Sequence, residues 1–284
     1  MTGSIKLTSA LLALAALASC SKNPTYLQDQ SGNKSLSQTQ QNLNTESKSE
    51  AIVFKAAGDS LDISPALEEF RALLGAPFTT PNTTLEARSG RREINWDAGP
   101  VELTNNFLFP ANFFGATNPT LPDGRKRGLI NKTPGTGFSI SDEDFKFINP
   151  SYPDQFKAFS PKKTFIAVGS NITDNFFKVP GTDVDATVQG FGVVFSGVNT
   201  ASSTSMEFYN GDRLLGSFKV PNTGNNNPGA SFSFLGVYFP NEKVTRVRIF
   251  SGSAALSSTQ NDLTDGGGED LVVMDDFIYS EPQN

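Results

Sequence analysis

Hydrophobic and polar positions alternate along this chain in four distinct regimes. Lys6 precedes an apolar run from Leu7 to Leu17, about eleven residues. That is too short to span a bilayer, which takes roughly 20 residues, but it fits the hydrophobic region of a secretory signal, residues 1–19. From Ser21 to Glu50 large apolar side chains almost vanish, and stretches such as Ser37-Gln38-Thr39-Gln40-Gln41-Asn42 dominate. Too little apolar surface remains to offset the entropy of ordering, so residues 20–52 read as a disordered polar tether reaching roughly 30 Å.

The third regime is helical. Leu67, Phe70 and Leu74 fall at i, i+3 and i+7, one apolar stripe of a short helix over about 64–75. Ser64-Pro65 supplies a start, Glu68 and Glu69 suit the positive end of the dipole, and Gly75 with Pro77 supplies a stop. Beyond it the period changes to two. Candidate strands cover 93–96, 164–168, 176–179, 187–198, 206–209, 214–220, 231–239, 244–250 and 271–279. Asn210-Gly211 between two of them is a hairpin signal. No helical periodicity links these runs, which argues against parallel βαβ units. Residues 53–284 therefore read as one mainly β domain, an antiparallel, jelly-roll-like β-sandwich with one short N-terminal helix.

Between Thr104 and Lys163 the regularity drops, while Phe107, Phe109, Phe113, Phe114, Phe138, Phe145, Phe147, Phe156 and Phe159 sit among Pro, Asn and Gly. A long, loop-rich insertion of this kind often carries function. The simpler expectation is that each Phe pins a loop to the sandwich, because Phe brings large burial with no polar handle. Trp96 is expected in the core on the same face as Ile94.

Composition sharpens this picture mainly by exclusion. The chain has 284 residues, no His and one Cys. Ser-His-Asp and Cys-His nucleophile systems are excluded, as are His-ligated zinc or haem, an internal disulfide and iron–sulfur clusters. The formal net charge of −6 argues against nucleic acid, which requires a concentrated basic face. The one basic run, Arg125-Lys126-Arg127, reads as a solvated loop tip. Carboxylates remain as the main site chemistry.

The single Cys has a telling position. Leu17-Ala18-Ser19-Cys20 closes the apolar run and resembles the lipobox of bacterial lipoproteins. That resemblance implies cleavage before Cys20, lipid attachment to it, and a chain anchored in the cell envelope, at the outer membrane or cell surface. More than one acyl chain makes such an anchor stable.

Further along, several stretches carry a wider resemblance. They are Phe70-Arg71-Ala72-Leu73-Leu74-Gly75, Arg91-Arg92-Glu93-Ile94-Asn95-Trp96-Asp97, Val168-Gly169-Ser170-Asn171-Ile172-Thr173-Asp174, Phe191-Gly192-Val193-Val194-Phe195 and the ending Met274-Asp275-Asp276-Phe277-Ile278-Tyr279-Ser280-Glu281-Pro282. Together they resemble an uncharacterised family of secreted bacterial proteins, some of which end in a PEP-CTERM-type sorting tail. The resemblance spans roughly Ser64 to Pro282 and implies export, but no activity and no catalytic residue.

At the level of fold the pattern is also similar to jelly-roll carbohydrate-binding modules. Those often hold a structural calcium between their first and last strands. This similarity implies a calcium site from Glu93 and Asp97 near the first strand and Asp275 and Asp276 on the last, and glycan or another extracellular polymer as ligand. Calcium takes six to eight hard oxygens, and a cation would relieve repulsion among close carboxylates.

A second acidic group, Asp262, Asp265, Glu269 and Asp270, flanks Gly266-Gly267-Gly268. With Asp275 and Asp276 just downstream it is the best chemical candidate for calcium, since Gly lets the backbone wrap close to an ion; its spacing fits no EF-hand loop, however, and solvated charges on a hairpin loop are the simpler reading. Arg91-Arg92-Glu93 is expected to form an internal ion pair. The leading expectation is thus a non-catalytic, membrane-anchored binding or scaffolding domain. A glycoside hydrolase with two carboxylates about 5–10 Å apart and a purely structural envelope protein are the alternatives.

Overall fold

Two antiparallel sheets pack face to face in the computed structural model, which describes residues 50–85, 87–224 and 231–284. The signal segment, Cys20 and nearly all of the tether lie outside the described residues. The first sheet has seven strands among the described residues. In spatial order these are β1 (Ile52–Gly58), β11 (Phe232–Tyr238), β8 (Gly190–Ser196), β13 (Val273–Ser280), β5 (Thr164–Val168) and β4 (Gly137–Ser141), with β2 (Arg91–Ile94) also paired to β13. The second sheet runs β10 (Arg213–Lys219), β9 (Ser205–Asn210), β12 (Arg246–Phe250), β6 (Ile172–Lys178) and β3 (Leu129–Lys132), with β7 (Asp185–Ala186) paired to β6. From β10 onward the chain changes sheet at every strand, the wiring of a jelly-roll-like β-sandwich.

Burial explains why some strands read as continuous apolar runs and others as alternation. The first sheet is covered on both faces. Inward, Phe191, Val193 and Phe195 meet Met206, Phe208, Val247 and Ile249 of the second sheet. Outward, Val194, Phe234 and Ile278 meet a helix. Farther along the same face, Tyr152 and Phe156 of the Phe-rich segment cover Ile166 and Val273. β12 has the other pattern: Val247 and Ile249 are buried, whereas Arg246, Arg248 and Phe250 are only half-buried. This is the period-two signature of a sheet with one face in water.

The helix, α1 (Ser60–Gly75), buries Ile63, Leu67, Phe70 and Leu74, which bears out the predicted stripe. It starts before the predicted Ser64, because Asp59 caps it. Asp59 Oδ1 accepts from the N–H groups of Leu61 and Asp62, and Asp62 Oδ2 accepts from Asp59 N–H. This reciprocal box satisfies orphan donors and places Pro65 inside the helix rather than at its start. Consequently Glu68 is not near the positive end; it pairs with Arg71 instead, at 2.8 Å.

Glycine makes the helix seat possible. Gly192 and Gly236 are cross-strand partners on β8 and β11, and the Phe70 ring lies over both. A Cβ on Gly192 would come within 2.7 Å of that ring, and one on Gly236 within 2.8 Å.

Four strands fall outside the predicted set: β1, β3, β4 and the two-residue β7. In β4 the pattern is obscured by Ser139 and Ser141, both buried. Their hydroxyls donate to Asn106 O and Asn105 Oδ1, at 2.6 and 2.8 Å. The hairpin at Asn210-Gly211 is present: β9 and β10 pair with Asn210 opposite Arg213, and Gly211 has φ 59°.

The Phe-rich segment behaves as expected, since Phe109, Phe113, Phe114, Phe138, Phe145 and Phe156 are buried, while Phe107 is exposed. Trp96 is fully buried and stacks on Phe165 with centroids 3.8 Å apart. The basic run differs from expectation, because it is not a solvated tip. Arg125 lies over the Phe113 ring at 3.5 Å, Arg127 donates to Glu93 O, and Lys126 is buried with its Nζ on Pro119 O and Asp123. Aromatic faces and backbone carbonyls replace water around these cations.

Candidate functional site

The strand expected to be first is the second, because β1 precedes it and pairs with β11; it does meet the last strand, with Glu93 on β2 the cross-strand partner of Ile278 on β13. Asp275 and Asp276 occupy a β-bulge, because three steps along β13 from Met274 to Phe277 match two along β8 from Phe195 to Val193. In a regular strand consecutive side chains point to opposite faces. The bulge breaks that alternation, so both carboxylates reach Ser160 Oγ, at 3.1 Å for Asp275 and 2.6 Å for Asp276.

The other oxygens of these residues are also engaged. Asp275 Oδ2 accepts from the N–H groups of Phe159 and Ser160, and its backbone carbonyl accepts the Trp96 indole N–H at 2.8 Å. Arg71, reaching from α1, donates to Glu93 Oε2 at 2.9 Å and to Asp276 Oδ2 at 3.2 Å. Arg91 Nε donates to Glu93 Oε1 at 2.7 Å, the expected internal pairing. Asp97 lies past the end of β2, where its Oδ1 accepts from the backbone of Lys162 and Lys163 at 2.6 and 3.0 Å.

This arrangement does not fit a calcium centre. A guanidinium already stands between Glu93 and Asp276, and Asp97 shares no partner with the other three. Among the described residues no group of three or more His, Cys, Asp or Glu side chains converges as a metal site would. Nor does it fit a hydrolase pair, which needs two carboxylates facing each other across a cleft. Asp275 and Asp276 are neighbours in sequence and buried under the segment that carries Ser160. Burial, reinforced by the Asp276 charge, raises the Asp275 pKa well above the ordinary carboxylate value. Burial also raises that of Asp276, against the opposing effects of Ser160 and Arg71. Of the two carboxyls, that of Asp275 is pushed up the further.

The second acidic group is structural as well. Asp262 Oδ2 accepts from Thr264 N–H and Asn199 Nδ2, and its Oδ1 from Leu271 N–H. Asp270 accepts from the backbone of Asn199 and Thr200 and from the Ser203 hydroxyl. Both are buried, so they tie loops together rather than wait in solvent. Glu269 accepts from Ser253 Oγ.

The remaining chemistry lies on the outward face of the second sheet, which composition and motif searching did not single out. The register sets it out in rows. Arg246 has Tyr209 on one side and Phe176 on the other. In the next row Arg248 lies between Glu207 and Asp174, with Lys132 beyond Asp174. In the third, Phe250 lies between Ser205 and Ile172.

These side chains hold one another in place. The Arg246 guanidinium lies 4.0 Å from the Tyr209 ring centroid, and Lys132 Nζ 4.7 Å from that of Phe176. Arg248 makes two bonds to Asp174, each 2.8 Å. The Tyr209 hydroxyl donates to Glu207 at 2.5 Å. At one end a depression of about 320 Å³ is lined by residues that include Ser203, Ser205, Glu207, Ser217, Lys219 and Phe250. Hydroxyls, one cation, one carboxylate and one aromatic ring face the same space. The outward residues of β12, Arg246, Arg248 and Phe250, alternate in sequence with the core residues Val247 and Ile249, and that alternation was the available signal.

A larger cleft of about 620 Å³ opens near the C-terminal end of α1, with Arg88, Tyr238, Glu242 and Glu281 in its walls. Its carboxylates are engaged by structural pairs, Glu281 with Arg92 at 2.7 Å and Glu242 with Arg213.

The motifs that carry the sequence resemblance divide between these two places. Phe70-Arg71, Arg91-Arg92-Glu93 and Asp275-Asp276 converge on the buried ion network, whereas Asn171 to Asp174 lead onto the open sheet. No family model, curated protein or solved structure matches the chain.

Proposed function

We infer that this protein is an exported, lipid-anchored binding module, tethered through Cys20 to the cell envelope, and that it binds a glycan or similar extracellular polymer without catalysing its cleavage. The observation that carries this reading is the outward face of the second sheet. Phe176, Tyr209 and Phe250 sit there half-buried among Arg, Lys, Glu and Ser side chains, while α1 packs on the other sheet. Flat aromatic rings beside fixed donors and acceptors suit sugar rings, which have apolar faces and hydroxyl edges. The carboxylates that could have served hydrolysis are engaged in the buried network.

The test is a glycan array probed with the full chain and with a Tyr209→Ala, Phe250→Ala double variant. The reading predicts polymer binding that the double variant loses while its melting temperature stays close to that of the parent. Binding that survives the double variant contradicts it.

A further inference from the structure

We propose that the polymer held on this sheet face is polyanionic, a polysaccharide carrying carboxylate or sulfate groups. This inference rests on the binding-module reading above and adds the chemical class of the ligand. It starts from a contrast of charge. The chain as a whole is acidic, with net charge −6. On the outward positions of the second sheet the balance reverses: Lys132, Lys178, Lys219, Arg246 and Arg248 outnumber Asp174, Asp185 and Glu207.

The local pairings determine which cations are left for a ligand. Asp174 is engaged by both nitrogen positions of the Arg248 fork. Asp185 pairs with Lys178 at 3.0 Å, at the margin of the sheet. Glu207 accepts from the Tyr209 hydroxyl. Lys132 faces an aromatic ring and Lys219 Nζ a backbone carbonyl, Ser202 O at 3.1 Å. Among the described residues neither forms an ion pair with a carboxylate. Arg246 lies 3.9 Å from Asp174, which is already in the Arg248 fork, and packs chiefly on Tyr209.

Lys132 is on β3 and Lys219 on β10, the two outer strands of the five-strand path, with Arg246 on the middle strand. Five strands at about 4.8 Å spacing extend about 19 Å, and the register sets Arg246, Lys132 and Lys219 in three successive rows, so these cations are spread over the sheet face rather than gathered in a single anion pocket. Separated cations with aromatic rings beside them, Phe176 at Lys132 and Tyr209 at Arg246, complement an extended chain that presents an anion at intervals and a sugar face between anions. Arginine held flat over an aromatic ring keeps its edge donors free for a carboxylate or sulfate.

The experiment measures retention of the full chain on gels containing polygalacturonate, dextran sulfate or neutral dextran, at low and high salt. The proposal predicts retention by at least one acidic polymer and none by dextran, with apparent affinity falling at least tenfold between 50 and 500 mM salt. A Lys132→Gln, Lys219→Gln, Arg246→Gln variant loses at least tenfold, at unchanged melting temperature. Equal retention by dextran, insensitive to salt but lost on Tyr209→Ala, overturns the polyanion assignment and leaves the sheet-face reading standing. Acidic-polymer retention that neither the charge variant nor Tyr209→Ala reduces overturns both. Equal binding to duplex DNA overturns the assignment in favour of unselective attraction to polyanions.

Discussion

Arg71 on α1 and Asp276 on β13, 205 residues apart in the chain, meet at 3.2 Å. The same guanidinium holds Glu93 at 2.9 Å, so a single side chain locks the helix to the first and last long-range partners of the sheet. In place of a metal ion, an internal cation offsets the charge of these carboxylates.

With Arg71 and Arg91 on these carboxylates, the fold is expected to be insensitive to calcium. The melting temperature of the full chain is expected to agree within about 1 °C in millimolar calcium and in EDTA. Arg71→Gln, by contrast, leaves the buried Asp276 without its cation and Glu93 with Arg91 alone, and is expected to cost about 3 kcal/mol, read as a shift in the urea midpoint. A calcium-dependent melt would contradict this account of the cluster.

Asp275 gives a pH signature. Its folded-state pKa is raised, chiefly by burial, so it favours folding while protonated. That contribution is complete below the unfolded value near 4 and is lost as pH rises through the folded-state pKa. Asp275→Asn retains an acceptor for the N–H groups of Phe159 and Ser160 and cannot ionise. It is expected to flatten this part of the stability–pH profile and to be at least as stable as the parent at neutral pH. Asp275→Ala removes the acceptor and is expected to cost about 2 kcal/mol. Parallel urea titrations from pH 4 to pH 8 measure both effects, and an unchanged profile in Asp275→Asn would refute the assignment.

Arg92 and Glu281 form the most enclosed ion pair described, each side chain about 1% exposed. Glu281 accepts from Arg92 at 2.7 Å and from Asn82 Nδ2 at 2.7 Å, while Arg92 also donates to Thr84 O at 2.7 Å. Removing one partner strands a buried charge, so Glu281→Ala is expected to cost about 3–5 kcal/mol. Chemical denaturation measures it. A loss below 1 kcal/mol would mean that Arg92 finds water or another acceptor.

Sandwich architecture was legible in the alternation of residues 206–209 and 244–250, because a sheet with one face buried and one in water must repeat every two residues. What alternation could not convey was the bulge at Asp275-Asp276, since one extra residue changes which face a side chain joins without changing the composition. The helix stripe was visible, but its start was not. Ser64-Pro65 has the form of a cap, yet Asp59 and Asp62 form the reciprocal bonds that decide the matter. β4 was hidden by Ser139 and Ser141, polar in sequence but satisfied by Asn105 and Asn106 sixty residues and more before the next predicted strand ends. The approach of Glu93 to Asp276 was legible as a pairing of their two strands, although that of Glu93 is the second of the fold and Asp97 lies past its end on the backbone of Lys162 and Lys163. Their neutralisation by Arg71 was not foreseeable, because it depends on where α1 docks. The open face escaped notice because Lys132, Asp174, Glu207 and Arg248 become neighbours only through strand register.

The central claim, that the outward face of the second sheet is the binding surface, is tested most directly by amide hydrogen exchange on the full chain with and without saturating acidic polysaccharide. The account predicts slowed exchange in β6, β9 and β12 and in the loop of Ser202 and Ser203, with β8, β11 and α1 unchanged. Protection confined to the cleft beside α1, or to the surface of the Phe-rich segment, would contradict it.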